Sequence, residues 1–259
     1  MTTDTSALDR EYGQATARFY DAAYESSAQL DGRDVAFYRE LAREGGGPVL
    51  ELGCGTGRVL LEIAALGFPC TGLDASQHML ARLRAKSRFS NLRLVRAPMQ
   101  DFSLPGERFG LIYAAFRAFQ HLYTVPDQLA CLACVRRHLA PGGRLAFDVF
   151  APRLARTALL EEPESVDLRF ALEGEDIVRY ATVTRDPAAQ LLAVKFRYER
   201  SRDGRVVGNE LASFKMRWFW RYELLHLLAR AGFDDVEIYG DFDRSPVSAD
   251  TPAFVVVAS

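Results

Sequence analysis

The stretch that begins at residue 49 reads Val49-Leu50-Glu51-Leu52-Gly53-Cys54-Gly55-Thr56-Gly57-Arg58. Its first four residues form a mostly apolar run that predicts a buried strand, and apolar residues at helical spacing follow from Leu60. Glycine has no Cβ, so a ligand can approach the intervening turn closely. Backbone N–H groups at the start of the helix then face that ligand. The stretch therefore predicts a strand, a ligand-binding loop and a helix in succession.

The spacing of the three glycines narrows the class of ligand. Glycines at 53, 55 and 57 form G-x-G-x-G, whereas a dinucleotide fingerprint requires a glycine or alanine at position 58, which is arginine. A P-loop requires Lys and then Ser or Thr after its last glycine, and Arg58-Val59 supplies neither. Both phosphate-binding interpretations are weakened, and a nucleotide-dependent dehydrogenase is a disfavoured hypothesis.

Two acidic residues accompany the glycine loop. Glu51 precedes the first glycine by two residues, and Asp74 ends a second predicted strand 17 residues after Gly57. A carboxylate at such a strand end can accept hydrogen bonds from both hydroxyls of a ribose. The pattern therefore predicts a ligand that carries a sugar diol.

The order of predicted elements indicates the fold class. Strands and helices alternate from residue 45 to about 150, which predicts an α/β domain with a parallel sheet and helices on both faces. After Pro152 the alternation gives way to short strands separated by turn signals, which predict an inserted antiparallel meander. Its predicted strands are 168–171, 177–184, 191–200 and 206–214.

Three units follow from this organisation. We expect an N-terminal helical cap over residues 1–44 and an α/β core over residues 45–155 and 214–259. Residues 156–213 are expected to form the antiparallel insertion, as a lid or a dimer surface.

Composition and charge limit the function classes. The 259 residues include 32 basic and 34 acidic side chains, for a formal net charge of −2, and 49% are apolar. This balance, without a long basic run, predicts no nucleic-acid partner, and no apolar run is long enough to predict a membrane span. Met1–Gln14 lacks the features of a signal peptide.

Cysteine usage predicts the compartment. Four cysteines are too few for a disulfide framework, so we expect reduced thiols in a cytoplasmic protein. Cys131 and Cys134 form C-x-x-C inside a predicted helix with no second pair nearby. We therefore expect them to be buried, and we expect no metal site.

The motifs resemble those of a known family. Glu51–Arg58 looks like the first motif of the class I S-adenosylmethionine-dependent methyltransferases, and Gly72–Ser76 with Met79 looks like the second. Pro141-Gly142-Gly143 is similar to the turn that precedes the fifth strand in that family. Tyr20-Asp21-Ala22-Ala23-Tyr24 resembles an N-terminal motif of its small-molecule members, including the sugar N-methyltransferases and glycine N-methyltransferase. Helix packing alone would also place tyrosines at this spacing.

The resemblance implies S-adenosyl-L-methionine as cofactor and a Rossmann-like, seven-stranded, mostly parallel sheet in the order 3-2-1-4-5-7-6. It places the methionine part over the glycines, Asp74 on the ribose, and Ala75 and Met79 against the adenine. The family usually has an acid after the third strand for the adenine amino group, but residues 97–101 read Ala97-Pro98-Met99-Gln100-Asp101 here. The Met99 backbone, Gln100 or Asp101 must replace it. The cofactor-binding candidates are Tyr20, Glu51, Gly53, Cys54, Gly55, Thr56, Gly57, Asp74, Ala75, Met79, Ala97, Pro98, Met99, Gln100 and Phe116.

The acceptor is expected beyond the C-terminal end of the fourth strand, where α/β sheets place ligands. Residues 114–122 lack the N-P-P-Y motif of family members that methylate DNA bases or protein glutamines. We expect Phe116 near the sulfonium, Arg117 as a contact for a carboxylate or phosphate, and His121 as a base with a pKa near neutrality. A solvated arginine and a packing histidine are the structural alternatives. Further candidate acceptor contacts are Tyr24, Arg217 and Arg244.

The sequence thus predicts an enzyme that moves a methyl group from S-adenosylmethionine to a nitrogen, oxygen or other nucleophile of a small molecule. In-line displacement requires mainly that the nucleophile be positioned, and a base is needed only where that atom arrives protonated. The alternative hypothesis is a non-catalytic S-adenosylmethionine-binding or assembly module. A homodimer is compatible with the predicted insertion.

Overall fold

A seven-stranded sheet forms the centre of the computed structural model, which describes residues 11–25 and 31–259. The described elements are numbered in chain order. The strands of this sheet are β1 (Val49–Leu52), β2 (Cys70–Asp74), β3 (Leu92–Arg96), β4 (Phe109–Ala114), β5 (Leu139–Phe150), β10 (Val236–Tyr239) and β11 (Ala253–Ala258).

The topology of the sheet is that of a Rossmann-like fold. The strand order is β10-β11-β5-β4-β1-β2-β3, and β1 to β5 pair in parallel. β11 is antiparallel to both of its neighbours, β5 and β10. Counted within this sheet alone, the order is 3-2-1-4-5-7-6, so the predicted fold is confirmed.

Helices cover both faces of the sheet. Along β1, Leu50 and Leu52 pack in one apolar core and Val49 in the other, because successive side chains of a strand point to opposite faces. None of the helices within residues 11–25 and 31–259 is long and apolar enough to cross a bilayer. The helices are α1 (Gln14–Glu25), α2 (Arg33–Gly45), α3 (Leu60–Ala64), α4 (Gln77–Lys86), a 3₁₀ helix (Ala118–His121), α5 (Val125–His138), α6 (Leu154–Thr157) and α7 (Arg221–Arg230).

The turn predicted before the fifth strand differs in form. β5 begins at Leu139 and continues through Pro141-Gly142-Gly143, and its pairing with β4 shifts register at this point. A Cβ on Gly143 would lie 2.7 Å from the carbonyl oxygen of Phe109, so the two backbones approach too closely for a side chain. The glycines therefore form an irregularity inside a long strand.

The predicted antiparallel insertion is a separate four-stranded sheet in the order β6-β7-β8-β9. Its strands are longer than the sequence pattern indicated, because the polar residues at their ends continue the backbone pairing. They are β6 (Glu161–Leu172), β7 (Glu175–Asp186), β8 (Leu191–Arg202) and β9 (Arg205–Arg217).

The helix α1 packs on this second sheet. Phe19 is fully buried and stacks on Tyr198 with ring centroids 4.4 Å apart. Arg18 adds ion pairs with Glu173 and Glu210 at 2.7 Å and 2.9 Å. Residues 1–10 and 26–30 of the predicted cap lie outside the described residues, and the predicted unit boundaries stay predictions.

Phe19→Ala should detach α1 from the insertion. Removing a buried phenylalanine side chain costs about 3–5 kcal/mol, so we expect a lower thermal unfolding midpoint and faster amide exchange over residues 14–25. Tyr222→Ala is the control, since Tyr222 is 68% exposed. Unchanged exchange over α1 in the Phe19 variant would contradict this packing.

Candidate active site

The C-terminal ends of β1 to β4 surround a cavity of about 900 Å³, its open mouth included. Ligands of α/β sheets bind at this edge, and the volume lies within the range of small-molecule sites. The sequence-predicted residues that line the cavity are Tyr20, Glu51, Gly53, Cys54, Gly55, Thr56, Asp74, Ala75, Met79, Ala97, Met99, Gln100, Phe116 and His121.

The glycine loop after β1 forms the floor of the cavity. Gly53 and Gly55 have φ of 68° and 54°, a left-handed conformation that favours glycine. A Cβ on Gly53 would lie 2.9 Å from Cβ of Ala118, so this turn also packs tightly against the 3₁₀ helix. Gly57 does not line the cavity: a Cβ there would lie 2.3 Å from Leu83, so this glycine permits close packing of α4.

Asp74 connects the loops that follow β1 and β2. Its carboxylate accepts hydrogen bonds from the backbone N–H of Gly55 at 2.7 Å and of Ser76 at 2.8 Å. A carboxylate can accept about four hydrogen bonds, so these two orient the group without exhausting it. The geometry is compatible with the predicted contact to a ribose.

Glu51 lies beneath the loop as a buried carboxyl. It accepts a hydrogen bond from the Tyr113 hydroxyl at 2.8 Å. Burial raises the pKa of Glu51 to about 8, against the opposing effect of the Tyr113 bond. A cationic ligand group in the cavity would therefore favour ionisation of Glu51.

The turn after β3 offers a polar group where the family usually has an acid. The Pro98 carbonyl accepts the Asp101 N–H, and this turn brings Met99 and Gln100 to the cavity while Asp101 is exposed. Gln100 is 8% exposed, and its Oε1 has no hydrogen-bond partner among the described residues. An unpaired buried acceptor is costly, and a ligand N–H donor would satisfy it. Gln100 is thus the best of the three candidates for the adenine amino group.

The segment after β4 forms the opposite wall. The Phe116 ring lines the cavity, and the Arg58 guanidinium lies over it at 5.1 Å while the edge of Tyr24 contacts it at 5.0 Å between centroids. Arg58 is in turn paired with Asp34 of α2. With the guanidinium of Arg117 at 5.8 Å, the ring already contacts two cations, and its predicted contact with a sulfonium stays a prediction.

His121 faces the cavity together with a residue that the sequence analysis missed. The Tyr12 hydroxyl lies 2.8 Å from His121 Nε2, and Ser76 Oγ donates to the Tyr12 carbonyl at 2.6 Å. Burial lowers the pKa of His121 to about 4, below the neutral range expected of a base, and its predicted role as a base stays a prediction. Tyr12 lies in a polar segment without periodicity, and only the fold reveals its place.

Tyr24 and Arg117 lie beside the cavity. Tyr24 contacts Tyr20 and Phe116 at centroid distances of 4.7 Å and 5.0 Å. The Arg117 guanidinium lies over the rings of Phe116 and Phe150 at 5.8 Å and 5.9 Å. Both predicted acceptor contacts therefore border the Phe116 wall.

Arg179 of β7 is a second residue that the sequence analysis missed. It is 6% exposed, pairs with Asp167 at 2.6 Å and lies over the Tyr24 ring at 5.5 Å. The available signal was an arginine between Ile177 and Ala181, two apolar residues on the same face of the strand.

Neither Arg217 nor Arg244 lines the cavity, so the structure gives no support to their predicted role as acceptor contacts. Arg217 pairs with Glu223 at 3.0 Å and donates to the Tyr123 carbonyl at 3.2 Å. It therefore links the end of β9 to α7 and to the segment before α5. Arg244 pairs with Glu44 of α2 at 2.6 Å. Both guanidinium groups form ion pairs within the fold, although Arg217 Nε has no hydrogen-bond partner among the described residues.

Comparisons with known proteins agree with this architecture. Residues 49–143 match the family model of the methyltransferase domain. The chain is 25% identical to the glycine/sarcosine N-methyltransferase of Halorhodospira halochloris, over 98% of this chain and 91% of that protein.

Solved structures are similar over nearly the whole chain. The CcbJ methyltransferase from Streptomyces caelestis has a TM-score of 0.79 and 29% identity, covering 96% of this chain and 98% of that one. S-adenosylmethionine-bound CalS10, an amino pentose methyltransferase from Micromonospora echinaspora, has a TM-score of 0.69 and 25% identity, covering 92% and 95%. The likeness therefore extends beyond the matched domain.

Asp74→Ala should nearly abolish binding of S-adenosylmethionine. Loss of charged hydrogen bonds to two hydroxyls is expected to raise the dissociation constant about 100-fold or more, measured by calorimetry. Asp101→Ala, at an exposed position outside the cavity, is the control. An unchanged affinity for the Asp74 variant would show that the site is misplaced.

Gln100→Leu should abolish the preference of the site for a purine that carries the adenine amino group. We expect the wild-type protein to bind S-adenosylhomocysteine about five- to tenfold more tightly than S-inosylhomocysteine, which lacks the amino group, because a neutral hydrogen bond contributes about 1 kcal/mol. The Leu variant should bind both equally. If it discriminates as the wild type does, Gln100 does not contact the amino group.

Proposed function

The chain carries a class I S-adenosylmethionine-dependent methyltransferase domain, and on this premise we propose that it methylates an amine nitrogen of a small anionic acceptor. The observation that carries the proposal is one continuous cavity. Asp74 and the glycine loop lie on one side of it, and Phe116, His121 and Tyr12 lie on the other.

The cofactor half of the site is supplied by the core sheet. S-adenosylmethionine, when bound, supplies a methyl group activated on a sulfonium. Gly53 and Gly55 would leave room for its amino-acid part, Asp74 would hold the ribose, and Gln100 would accept a hydrogen bond from the adenine amino group. Met79 and Ala75 add apolar contact. These groups position the methyl group, which is most of what an in-line displacement requires.

The polar pair Tyr12–His121 would orient the nucleophile. With a pKa of about 4, His121 is neutral at physiological pH, and in the tautomer with its proton on Nδ1 it accepts a hydrogen bond at Nε2 from the Tyr12 hydroxyl. The oxygen of Tyr12 can then accept an N–H of the acceptor, which directs the nitrogen lone pair. A histidine of such low basicity is a poor proton carrier, so we assign it orientation rather than proton removal. Amine acceptors also stand in the names of two similar proteins, glycine/sarcosine for one and an amino pentose for the other.

An anionic group of the acceptor would lie by Tyr24. Burial raises the pKa of Tyr24, and the positive charges of Arg179 and Arg117 oppose this rise, so both guanidinium groups act on the same hydroxyl. Guanidinium groups bind carboxylate and phosphate well. Asp167 offsets part of the charge of Arg179, which leaves Arg117 as the main contact.

A panel of small amines, with and without a carboxylate or phosphate, tests the proposal. Release of S-adenosylhomocysteine and the mass of the product report transfer. We expect turnover only with acceptors that carry both an amine and a carboxylate or phosphate. Tight cofactor binding without turnover on any acceptor would favour the non-catalytic module.

Compartment and assembly are further parts of the proposal. All four cysteines are buried and free, which supports a reducing compartment and hence a cytoplasmic location. The predicted homodimer through the insertion stays a prediction.

His121→Ala should lower turnover much more than cofactor affinity. We expect kcat to fall about tenfold or more while the dissociation constant for S-adenosylmethionine changes little, because His121 acts on the acceptor side. Since its pKa of about 4 lies below the assay range, the loss should be the same at pH 6 and pH 8. A loss that disappears at pH 6 would instead indicate a histidine that titrates near neutrality.

A further inference from the structure

We propose that Asp148, at the C-terminal end of β5, is a positioning residue that holds Phe116 and Arg117 in the conformation the acceptor side of the cavity requires. The inference rests on the proposed function for its catalytic consequence. Its structural part, that the Asp148 carboxylate holds the turn after β4 in place, depends only on the contacts of that carboxylate.

The turn after β4 has an unusual backbone. Phe116 and Arg117 are consecutive residues with φ of 54° and 67°, within the left-handed region. Residues with a Cβ rarely adopt this region, and two in succession persist only where surrounding groups impose it. Phe116 lines the cavity and Arg117 borders it, so the unusual backbone coincides with the site.

The Asp148 carboxylate is the group that imposes this conformation. Its Oδ1 accepts the N–H of Phe116 at 2.8 Å, and its Oδ2 accepts the N–H of Arg117 at 3.1 Å. The Tyr38 hydroxyl donates to Oδ1 at 2.8 Å. Asp148 is 4% exposed, so these bonds form away from water, where hydrogen bonds to an ionised group are strong.

Both oxygens are needed, because each accepts one of two neighbouring N–H groups. An asparagine has the same shape but only one acceptor oxygen, and its NH₂ group would face the second N–H. Asp148→Asn should therefore release Arg117, or Phe116, without opening a space in the core. Tyr38→Phe is the matched control, since it removes a bond to the same carboxylate and leaves both backbone bonds in place.

The surroundings of Asp148 determine when it is ionised. Burial raises the pKa of Asp148 to about 6, while the Tyr38 bond and the charge of Arg117 oppose the rise and Asp34 of α2 adds to it. Asp34 is itself paired with Arg58. As pH falls through about 6, Asp148 binds a proton and one of its two oxygens becomes a donor, so protection of at least one of the two amides should decrease.

Amide exchange of the complete protein, read at residues 116 and 117, tests the structural part. We expect exchange in Asp148→Asn to be about tenfold faster or more at one or both of these amides. Exchange in Tyr38→Phe should stay near that of the wild type when both are measured well above the pKa of Asp148, because loss of the Tyr38 bond raises that pKa further. If Asp148→Asn does not fold, the wild type compared at pH 7.5 and pH 5, corrected for intrinsic exchange, gives the same readout. The proposal is overturned if protection of the amides of residues 116 and 117 is unchanged in Asp148→Asn, or in the wild type between pH 7.5 and pH 5.

Kinetics test the catalytic part. In Asp148→Asn we expect kcat/KM for the acceptor to fall about tenfold or more with an unchanged dissociation constant for S-adenosylmethionine. Its effect should be smaller on an Arg117→Ala background, because the two changes act through the same group. Fast exchange with a normal kcat/KM in Asp148→Asn overturns the positioning role. The same conclusion follows if the effects of Asp148→Asn and Arg117→Ala on kcat/KM are fully additive. A wild-type protein that turns over no acceptor defeats the proposed function instead, and exchange then decides on Asp148 by itself.

Discussion

Carboxylates that accept backbone N–H groups hold the cavity in shape. Four parallel strands end at the same edge of the sheet, and each must pass into a loop whose N–H groups have lost their partners in the sheet. Asp74 satisfies two of them after β1 and β2, and Asp148 satisfies two after β4. The walls of the site are thus positioned by main-chain bonds to ionised groups, which are stronger than bonds between neutral groups.

The two halves of the site come from different parts of the chain. Residues 49–143, the part that matches the methyltransferase domain, supply the glycine loop, Asp74, Gln100 and the Phe116 wall. Tyr12, Tyr24 and Arg179 lie outside that range, on the N-terminal segment and the inserted sheet. The helix α1 of the N-terminal segment and the inserted sheet share one apolar core, so these two parts of the chain pack together. Acceptor choice is therefore expected to vary with them, and cofactor binding with the core.

Local pattern and resemblance predicted the core, while long-range contacts decided the rest. Glycine spacing and the position of Asp74 are local features, and the family resemblance that they carry led to the correct strand order. Arg217 and Arg244 were expected at the acceptor but do not line the cavity and pair with Glu223 and Glu44, since an arginine does not reveal its partners in the sequence. The burial that lowers the pKa of His121 cannot be predicted from the sequence either. Tyr12 lies 109 residues from His121 and Asp148 lies 32 from Phe116, so nothing short of the fold joins them.

The left-handed pair at Phe116 and Arg117 has a consequence for how this protein can change. Each such residue costs about 1–3 kcal/mol where it carries a Cβ, and glycine at either position would relieve most of that strain. A more stable protein is therefore one substitution away at each place, yet it would lack the aromatic wall or the guanidinium. Stability and activity are in conflict at these two residues, and a search for thermostable variants would tend to select the less active ones.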